Sequence, residues 1–207
     1  MTTELETGTR PPIKVLCLHG IGCNRDIFEA QTGFQYDLVE GSHPWPAAKG
    51  IKEAFGAHQV CYYYRDWTPS SAVEAIDKLG SYVRENGPFD VAMGFSLGAG
   101  LIATLLLQPG DWPKGYMRTA VFVYGIRPVN LAVPEEGPIA FMDSSGIGRA
   151  ITIPTFHSWS LEDVEFPGQS EKLMQMCAAK SLVEIRRSAG HGIPNRGDEV
   201  VALATTN

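Results

Sequence analysis

The sequence predicts a single α/β domain in which helices cover both faces of a mostly parallel central sheet. Short apolar runs alternate with stretches of helical periodicity along the chain, and that alternation is typical of parallel sheets. The 207 residues are 44% hydrophobic and 19% charged, which is enough apolar material for one sizeable core. No linker composition or internal repeat divides the chain. We therefore expect one domain over residues 13–207 after a flexible tail of residues 1–12.

The helices and strands of the first half of the chain are predicted from the spacing of apolar residues and from the residues that start or stop each element. Strands are recognised as short apolar or alternating runs, and helices begin at a capping residue or a proline and stop at glycine or proline. The predicted elements are a strand at 13–18, a short helix capped by Asn24 or Asp26, a strand at 34–39, a loop at 41–50 and a helix from Pro69 to Gly87-Pro88.

The second half repeats the alternation around a loop-rich insert. Residues 91–108 carry no charge, but glycines interrupt the stretch and favour a strand that turns into a buried helix over a membrane span. The predicted elements are strands at 89–95, 120–124, 151–159 and 182–186, helices at 97–107, 170–179 and 195–204, and an insert at 127–148.

Charge and cysteine usage exclude several function classes. Lysine and arginine number 17 against 23 acidic residues, so the net charge of −6 argues against a nucleic-acid partner. The four cysteines do not fall at metal-ligand spacings, and there is no phosphate-binding glycine motif. We expect no metal, no cofactor and no membrane association. The start of the chain lacks the features of a secretory signal, so we expect a cytoplasmic protein with reduced cysteines.

The segment Gly94-Phe95-Ser96-Leu97-Gly98 matches the G-x-S-x-G pattern between an apolar strand and an apolar helix. A sharp turn between these elements leaves no room for side chains at the two glycine positions. It also lifts Ser96 above the sheet edge at the positive end of the helix. This context predicts Ser96 as a catalytic nucleophile.

A serine nucleophile needs a base, which is usually a histidine held by a carboxylate. His191 follows the last predicted strand in a glycine-rich loop at the carboxyl end of the sheet, whereas His157 lies within an apolar strand where a hydrogen-bonded core role is favoured. Asp163 leaves the strand between Ser96 and His191 and is the predicted acid. The alternatives left open are Glu162, Glu165 and Asp143.

Two backbone amides are expected to bind the oxyanion that forms during acyl transfer. Leu97, directly after the nucleophile, supplies the first amide. Ile21, in the glycine-rich loop after the first strand, is the choice for the second, with Gly20 as the alternative. Apolar and aromatic residues in the carboxyl-end loops are candidates for substrate contacts, although aromatic residues also pack cores. These candidates are Trp45, Trp67, Tyr124, Ile126, Trp159 and Phe166.

Several segments together resemble the fungal serine hydrolase family of the FSH type. They are Leu16-Cys17-Leu18-His19-Gly20, Phe28-Glu29-Ala30-Gln31-Thr32-Gly33, Gly94-Phe95-Ser96-Leu97-Gly98-Ala99-Gly100 and Gly190-His191-Gly192-Ile193-Pro194. The resemblance implies a small α/β-hydrolase with Ser96, Asp163 and His191 as its triad. Several members of that family accompany fungal polyketide synthases and act as thioesterases or esterases.

The residues and the resemblance together predict hydrolysis of an ester or thioester of a hydrophobic, polyketide-like acyl group by a Ser96 acyl-enzyme. The substrate would be a small molecule or would be bound to an acyl carrier domain of a polyketide synthase. Two alternatives are a carboxylesterase for small esters and a catalytically silent binding protein on a hydrolase fold. The complete Ser-Asp-His set argues against the silent protein.

Overall fold

The structure is a computed structural model that describes residues 12–32, 36–109, 115–134, 136–188 and 190–193. The predicted tail, apart from Pro12, and the predicted helix at 195–204 lie outside the described residues. Within them, the central sheet consists of six parallel strands: β1 (Val15–Leu18), β2 (Asp37–Val39), β5 (Phe89–Phe95), β6 (Met117–Val123), β9 (Thr155–Ser160) and β10 (Leu182–Arg187). Their order across the sheet is β10-β9-β6-β5-β1-β2.

Helices pack around this sheet, and the predicted α/β fold is confirmed. Asn24 caps the first helix, because its Oδ1 accepts a hydrogen bond from the Ile27 amide at 2.8 Å. Thr68 caps the third helix, where proline occupies the first turn. The helices are α1 (Arg25–Thr32), α2 (Ile51–Phe55), α3 (Pro69–Asn86), α4 (Leu97–Leu106), α5 (Ser144–Ile147) and α6 (Gln169–Met174). None of the described helices is long and apolar enough to cross a bilayer.

The strand order places a crevice at the carboxyl ends of β1 and β5. From β1 the chain adds β2 on one side and then returns to add β5, β6, β9 and β10 in turn on the other. Ligands of open parallel sheets bind where the strand order reverses in this way. Because all six strands are parallel, the loops that carry His19, Ser96, Asp163 and His191 leave the sheet at the same edge.

Segment 41–50 differs from the predicted loop. Its strand β3 (His43–Trp45) pairs antiparallel with β4 (Cys61–Tyr63), and α2 lies between them. Pro44 and Pro46 on either side of Trp45 concealed this small two-stranded sheet, because proline is depleted in strands. The predicted loop-rich insert also contains short elements, namely β7 (Val129–Asn130), β8 (Ala140–Phe141) and α5.

The strand predicted to begin at Ile151 begins at Thr155. Ile151 forms only an isolated bridge with Cys177, and Pro154, which has no amide hydrogen, directly precedes the strand. The Pro154 carbonyl still accepts a hydrogen bond from the Ala120 amide at 3.0 Å, so pairing with β6 starts here. The late start therefore reflects the backbone chemistry of proline.

His157 lies in the core on β9, but without the hydrogen bonds expected of a core histidine. The side chain is 1% exposed and packs against Phe122, with ring centroids 5.1 Å apart. Neither ring nitrogen has a hydrogen-bond partner among the described residues. Burial lowers the pKa of His157 from 6.5 to about 3, so the imidazole is neutral in the folded protein at ordinary pH.

This depressed pKa predicts a stability change with pH. Between pH 6.5 and about pH 3 the unfolded chain binds a proton at His157 that the folded protein does not, so stability falls as pH falls. The slope for one such proton is about 1.4 kcal/mol per pH unit. Urea unfolding of wild type and His157→Leu should therefore show the wild type losing about 3 kcal/mol more between pH 6.5 and pH 4. Parallel pH profiles for the two proteins would contradict the assignment.

Candidate active site

Ser96 occupies a strained turn between β5 and α4. Its backbone has φ 55° and ψ −121°, a conformation that non-glycine residues rarely adopt. A Cβ on Gly94 would lie 2.5 Å from the Ala99 backbone, and one on Gly98 would lie 2.4 Å from the His19 carbonyl oxygen. Both glycines are therefore required by close backbone contacts. The turn places Ser96 above the sheet edge, as the motif predicts.

The structure brings Ser96, His191 and Asp163 together in one hydrogen-bonded row. His191 Nε2 lies 2.9 Å from Ser96 Oγ, and His191 Nδ1 lies 2.9 Å from Asp163 Oδ2. Because an ionised carboxylate can only accept, the ring hydrogen is on Nδ1 and the Nε2 lone pair faces the serine hydroxyl. His191 is therefore oriented to take the hydroxyl proton when Ser96 attacks a carbonyl carbon.

The Asp163 carboxylate is fixed by its own backbone loop. It is 7% exposed, and its Oδ1 accepts hydrogen bonds from the amides of Glu165 at 3.0 Å and Phe166 at 3.1 Å. These bonds occupy one oxygen and leave Oδ2 directed at His191. The arrangement places Asp163 in the position expected of the acid.

The alternative acids do not have this placement. Asp143 caps α5 through a bond from the Ser145 amide to Oδ1 at 3.0 Å, and this bond lowers the pKa of the Asp143 carboxyl. Its Oδ2 lies 3.7 Å from Arg127 Nη1. Glu162 is exposed to solvent, and Glu165, also exposed, lies beside the site but presents only its backbone amide to Asp163.

Three aromatic rings surround the His191 imidazole. The ring centroids of Phe95, Tyr124 and Phe166 lie 5.1, 5.0 and 5.2 Å from that of His191. Arg187 holds the same loop, because its Nη1 donates to the Gly192 carbonyl at 2.7 Å. Together these contacts leave the His191 side chain 5% exposed, so the imidazole is shielded from water.

The loop after β1 passes directly alongside Ser96, where a Cβ on Gly20 would lie 3.3 Å from the Ser96 Cβ. His19 is fully buried; its Nε2 accepts from the Gly41 amide at 3.1 Å, so Nδ1 carries the hydrogen and donates to the Gly20 carbonyl at 2.7 Å. Because a peptide unit is planar and trans, fixing this carbonyl directs the Ile21 amide the opposite way. Leu97, as the first residue of α4, has an amide with no intrahelical acceptor. Ile21 and Leu97 remain the predicted oxyanion donors.

A cavity of about 250 Å³ opens beside Ser96 and His191. Its walls come from the loop after β1, from α2 and its preceding turn, and from the loops that carry Asp163 and His191. Apolar side chains form most of the lining, with Lys49 and Glu165 as charged residues at exposed positions. The apolar lining residues include Ile21, Cys23, Ile51, Phe55, Phe95, Phe166 and Ile193.

Of the six candidate substrate contacts, Phe166 lines this cavity and the other five do not. Trp45 and Trp67 pack edge to face at 6.2 Å in a cluster with Tyr63 and Arg65. Ile126 and Trp159 are 1% and 3% exposed in the interior, and Tyr124 contacts the His191 ring. Trp67 packs in this cluster although it is 48% exposed, and the other four are covered more fully by packing. A sequence pattern does not distinguish such packing from ligand contact.

Cys23, Ile51 and Phe55 are lining residues that the sequence reasoning missed. Cys23 stands two residues after the predicted oxyanion residue Ile21, and that proximity was an available signal. Ile51 and Phe55 lie on α2, whose five residues are too few to show a helical period.

Comparison with known proteins identifies the family of this chain and proteins of similar fold. The model of the serine hydrolase family FSH1 matches residues 9–203. The chain is 30% identical over 201 residues to Esterase FPY3 of Fusarium mangiferae, covering 91% of this chain and 92% of that protein. It is 31% identical over 202 residues to Hydrolase phiM of a fungal species, covering 89% and 88%. Acyl-protein thioesterase 2 of Zea mays has a similar fold, with a TM-score of 0.59 at 15% identity and coverage of 97% and 96%.

The hydrogen-bonded row predicts selective reactivity at Ser96. A fluorophosphonate should label wild type at Ser96, and His191→Ala should slow labelling by roughly 10²–10⁴-fold because the general base is lost. Asp163→Asn should also slow it strongly, because the ring hydrogen of His191 is then no longer held on Nδ1. Intact-protein mass spectrometry over time measures the rate.

Asp143→Asn is the matched control and should label at the wild-type rate. If Asp143→Asn were slow and Asp163→Asn normal, the placement of the acid would be wrong.

Proposed function

This chain belongs to the serine hydrolase family FSH1, and from that membership we propose that it cleaves esters or thioesters of hydrophobic acyl groups through an acyl-enzyme on Ser96. The observation that carries the proposal is the 2.9 Å approach of His191 Nε2 to Ser96 Oγ, with Asp163 at 2.9 Å on the far side of the ring. A strained serine beside an oriented base is the arrangement that acyl transfer requires.

In the acylation step, Ser96 Oγ attacks the substrate carbonyl carbon while its proton passes to His191 Nε2. Asp163 stabilises the resulting imidazolium through the Nδ1 hydrogen bond. The imidazolium then donates its proton to the departing oxygen or sulfur. The leaving group departs and the acyl group stays on Ser96.

The deacylation step uses the same residues with water in place of the serine. His191 Nε2 takes a proton from water, the resulting hydroxide attacks the ester carbonyl, and the proton returns to Ser96 Oγ as the acid leaves. In both steps negative charge develops on the carbonyl oxygen. We assign its stabilisation to the amides of Ile21 and Leu97, which the buried His19 contacts and the start of α4 hold in place.

The apolar cavity supports an acyl group of hydrocarbon character. Its volume of about 250 Å³ lies just below the range of roughly 300–1,000 Å³ that holds drug-sized ligands, so an acyl chain of medium length fits best. A polyketide-like acyl group on a carrier thiol is the specific substrate that we propose, on the resemblance to the fungal family. The acyl-carrier domain of a polyketide synthase is the corresponding proposed partner.

Chain length and leaving group should both affect the rate. Acyl thioesters of N-acetylcysteamine with two, six and ten carbons should show kcat/KM rising by roughly two orders of magnitude from acetyl to hexanoyl, because each buried methylene contributes about 0.8 kcal/mol. The further gain at decanoyl should be small, since the cavity is then full. Thioesters and oxygen esters should react readily, whereas matched amides should be far slower because an amine must be protonated to leave.

A preference for acetyl esters with no thioester turnover would contradict the thioesterase proposal. That result would favour a carboxylesterase for small esters, which the modest cavity volume also permits. Steady-state rates on purified protein, with Ser96→Ala as the blank, distinguish the two.

A further inference from the structure

The two sides of the cavity have different roles in the reaction proposed above. His191 Nε2 must donate its proton to the leaving atom, so the leaving group lies on the side of the cavity formed by the His191 loop. Phe166, whose ring centroid lies 5.2 Å from that of His191, and Gly192, the next residue along the chain, line the cavity on that side. The acyl chain, joined to the opposite bond of the carbonyl carbon, then lies on the side formed by the β1 loop and α2.

Burial shows where the acyl side is closed. Cys23 is 4% exposed and Ile51 is 6% exposed, so these two side chains lie at the inner end of the acyl side. Lys49 and Ala54 line the same cavity but are exposed, which places them at its mouth. An acyl chain that enters past Ser96 therefore meets Cys23 and Ile51 as its inner boundary.

Backbone hydrogen bonds hold this boundary rigidly. The Cys23 carbonyl accepts from the Tyr62 amide at 2.7 Å, and the Gly22 amide donates to the Tyr62 carbonyl at 3.1 Å. The Gly22 carbonyl accepts from the Ala48 amide at 2.8 Å, and the Ile51 amide donates to the Ala48 carbonyl at 3.1 Å. A longer chain therefore has to displace several paired backbone groups rather than one flexible side chain.

We propose that Cys23 and Ile51 together form the closed end of the acyl site and set the longest acyl chain that the enzyme accepts. Cys23 acts there as a small apolar wall, and its thiol donates to its neighbour's carbonyl, that of Asn24, at 3.5 Å. Burial raises the pKa of this thiol to about 12, so it is uncharged at neutral pH and does not compete with Ser96 as a nucleophile.

The test compares chain-length profiles of variants that enlarge or fill this end. Ile51→Ala and Cys23→Ala enlarge it, Cys23→Leu fills it, and Cys61→Ala is the matched control. Cys61 is 3% exposed and belongs to the same apolar cluster, but it does not line the cavity. N-acetylcysteamine thioesters from two to twelve carbons serve as substrates, and rates are expressed per Ser96 labelled by fluorophosphonate, which removes misfolded protein from the comparison.

Ile51→Ala and Cys23→Ala should extend the rising part of the profile to longer chains, with about a fourfold gain in kcat/KM for each further methylene that is buried. Cys23→Leu should end the rising part of the profile at a shorter chain. Activity on the longest thioesters that the wild type accepts should be lost, and activity on the acetyl thioester should be kept. Cys61→Ala should keep the wild-type profile.

Unchanged profiles in all three cavity variants would overturn this inference while leaving the proposed function intact. The inference is also overturned if Cys61→Ala shifts the profile as much as they do. Absence of turnover by the wild type on every thioester and ester would overturn the proposed function and, with it, the inference.

Discussion

The close packing of α4 against the ends of β1 and β5 is the constraint on which the rest of the site depends. Gly98 brings the helix so near the β1 end that a Cβ there would lie 2.4 Å from the His19 carbonyl oxygen. At this contact the helix starts directly after Ser96, which has a positive φ, and the loop after β1 lies beside the serine. Larger residues at Gly94 or Gly98 would separate these elements, because backbone atoms rather than flexible side chains occupy the space.

The parallel sheet then brings the other functional groups to the same place from distant parts of the chain. Asp163 leaves β9 and His191 follows β10, and each is oriented by backbone contacts of its own loop: amides hold the aspartate and Arg187 holds the Gly192 carbonyl. The strain at Ser96 and the burial of His19 are local costs of this arrangement. The large apolar core of the sheet and helices offsets them.

The sequence predicted those features that have a local signature. Gly94-Phe95-Ser96-Leu97-Gly98 is such a signature, since the close contacts that require its glycines form between adjacent elements. The strand at 89–95 and the helix starting at Pro69 were predicted with matching bounds for the same reason.

Features that depend on long-range packing were predicted poorly. β3 and β4 pair residues that are 16 to 20 positions apart, β3 itself contains Pro44, and neither segment has a strand pattern by itself. Trp45, Trp67 and Trp159 contact other side chains, and Ile51 lines the cavity only because α2 folds across the β1 loop.

The cooperation of Ser96 and His191 as one catalytic unit is the central claim, and a double-mutant comparison of kcat tests it most directly. Ser96→Ala and His191→Ala should each reduce kcat on a hexanoyl thioester by roughly 10⁶-fold, and the double variant should be little slower than either. This follows because the serine is inactive without the base, and the base has no role without the serine. Losses that multiply in the double variant would contradict the account, because they would show that the two residues act independently.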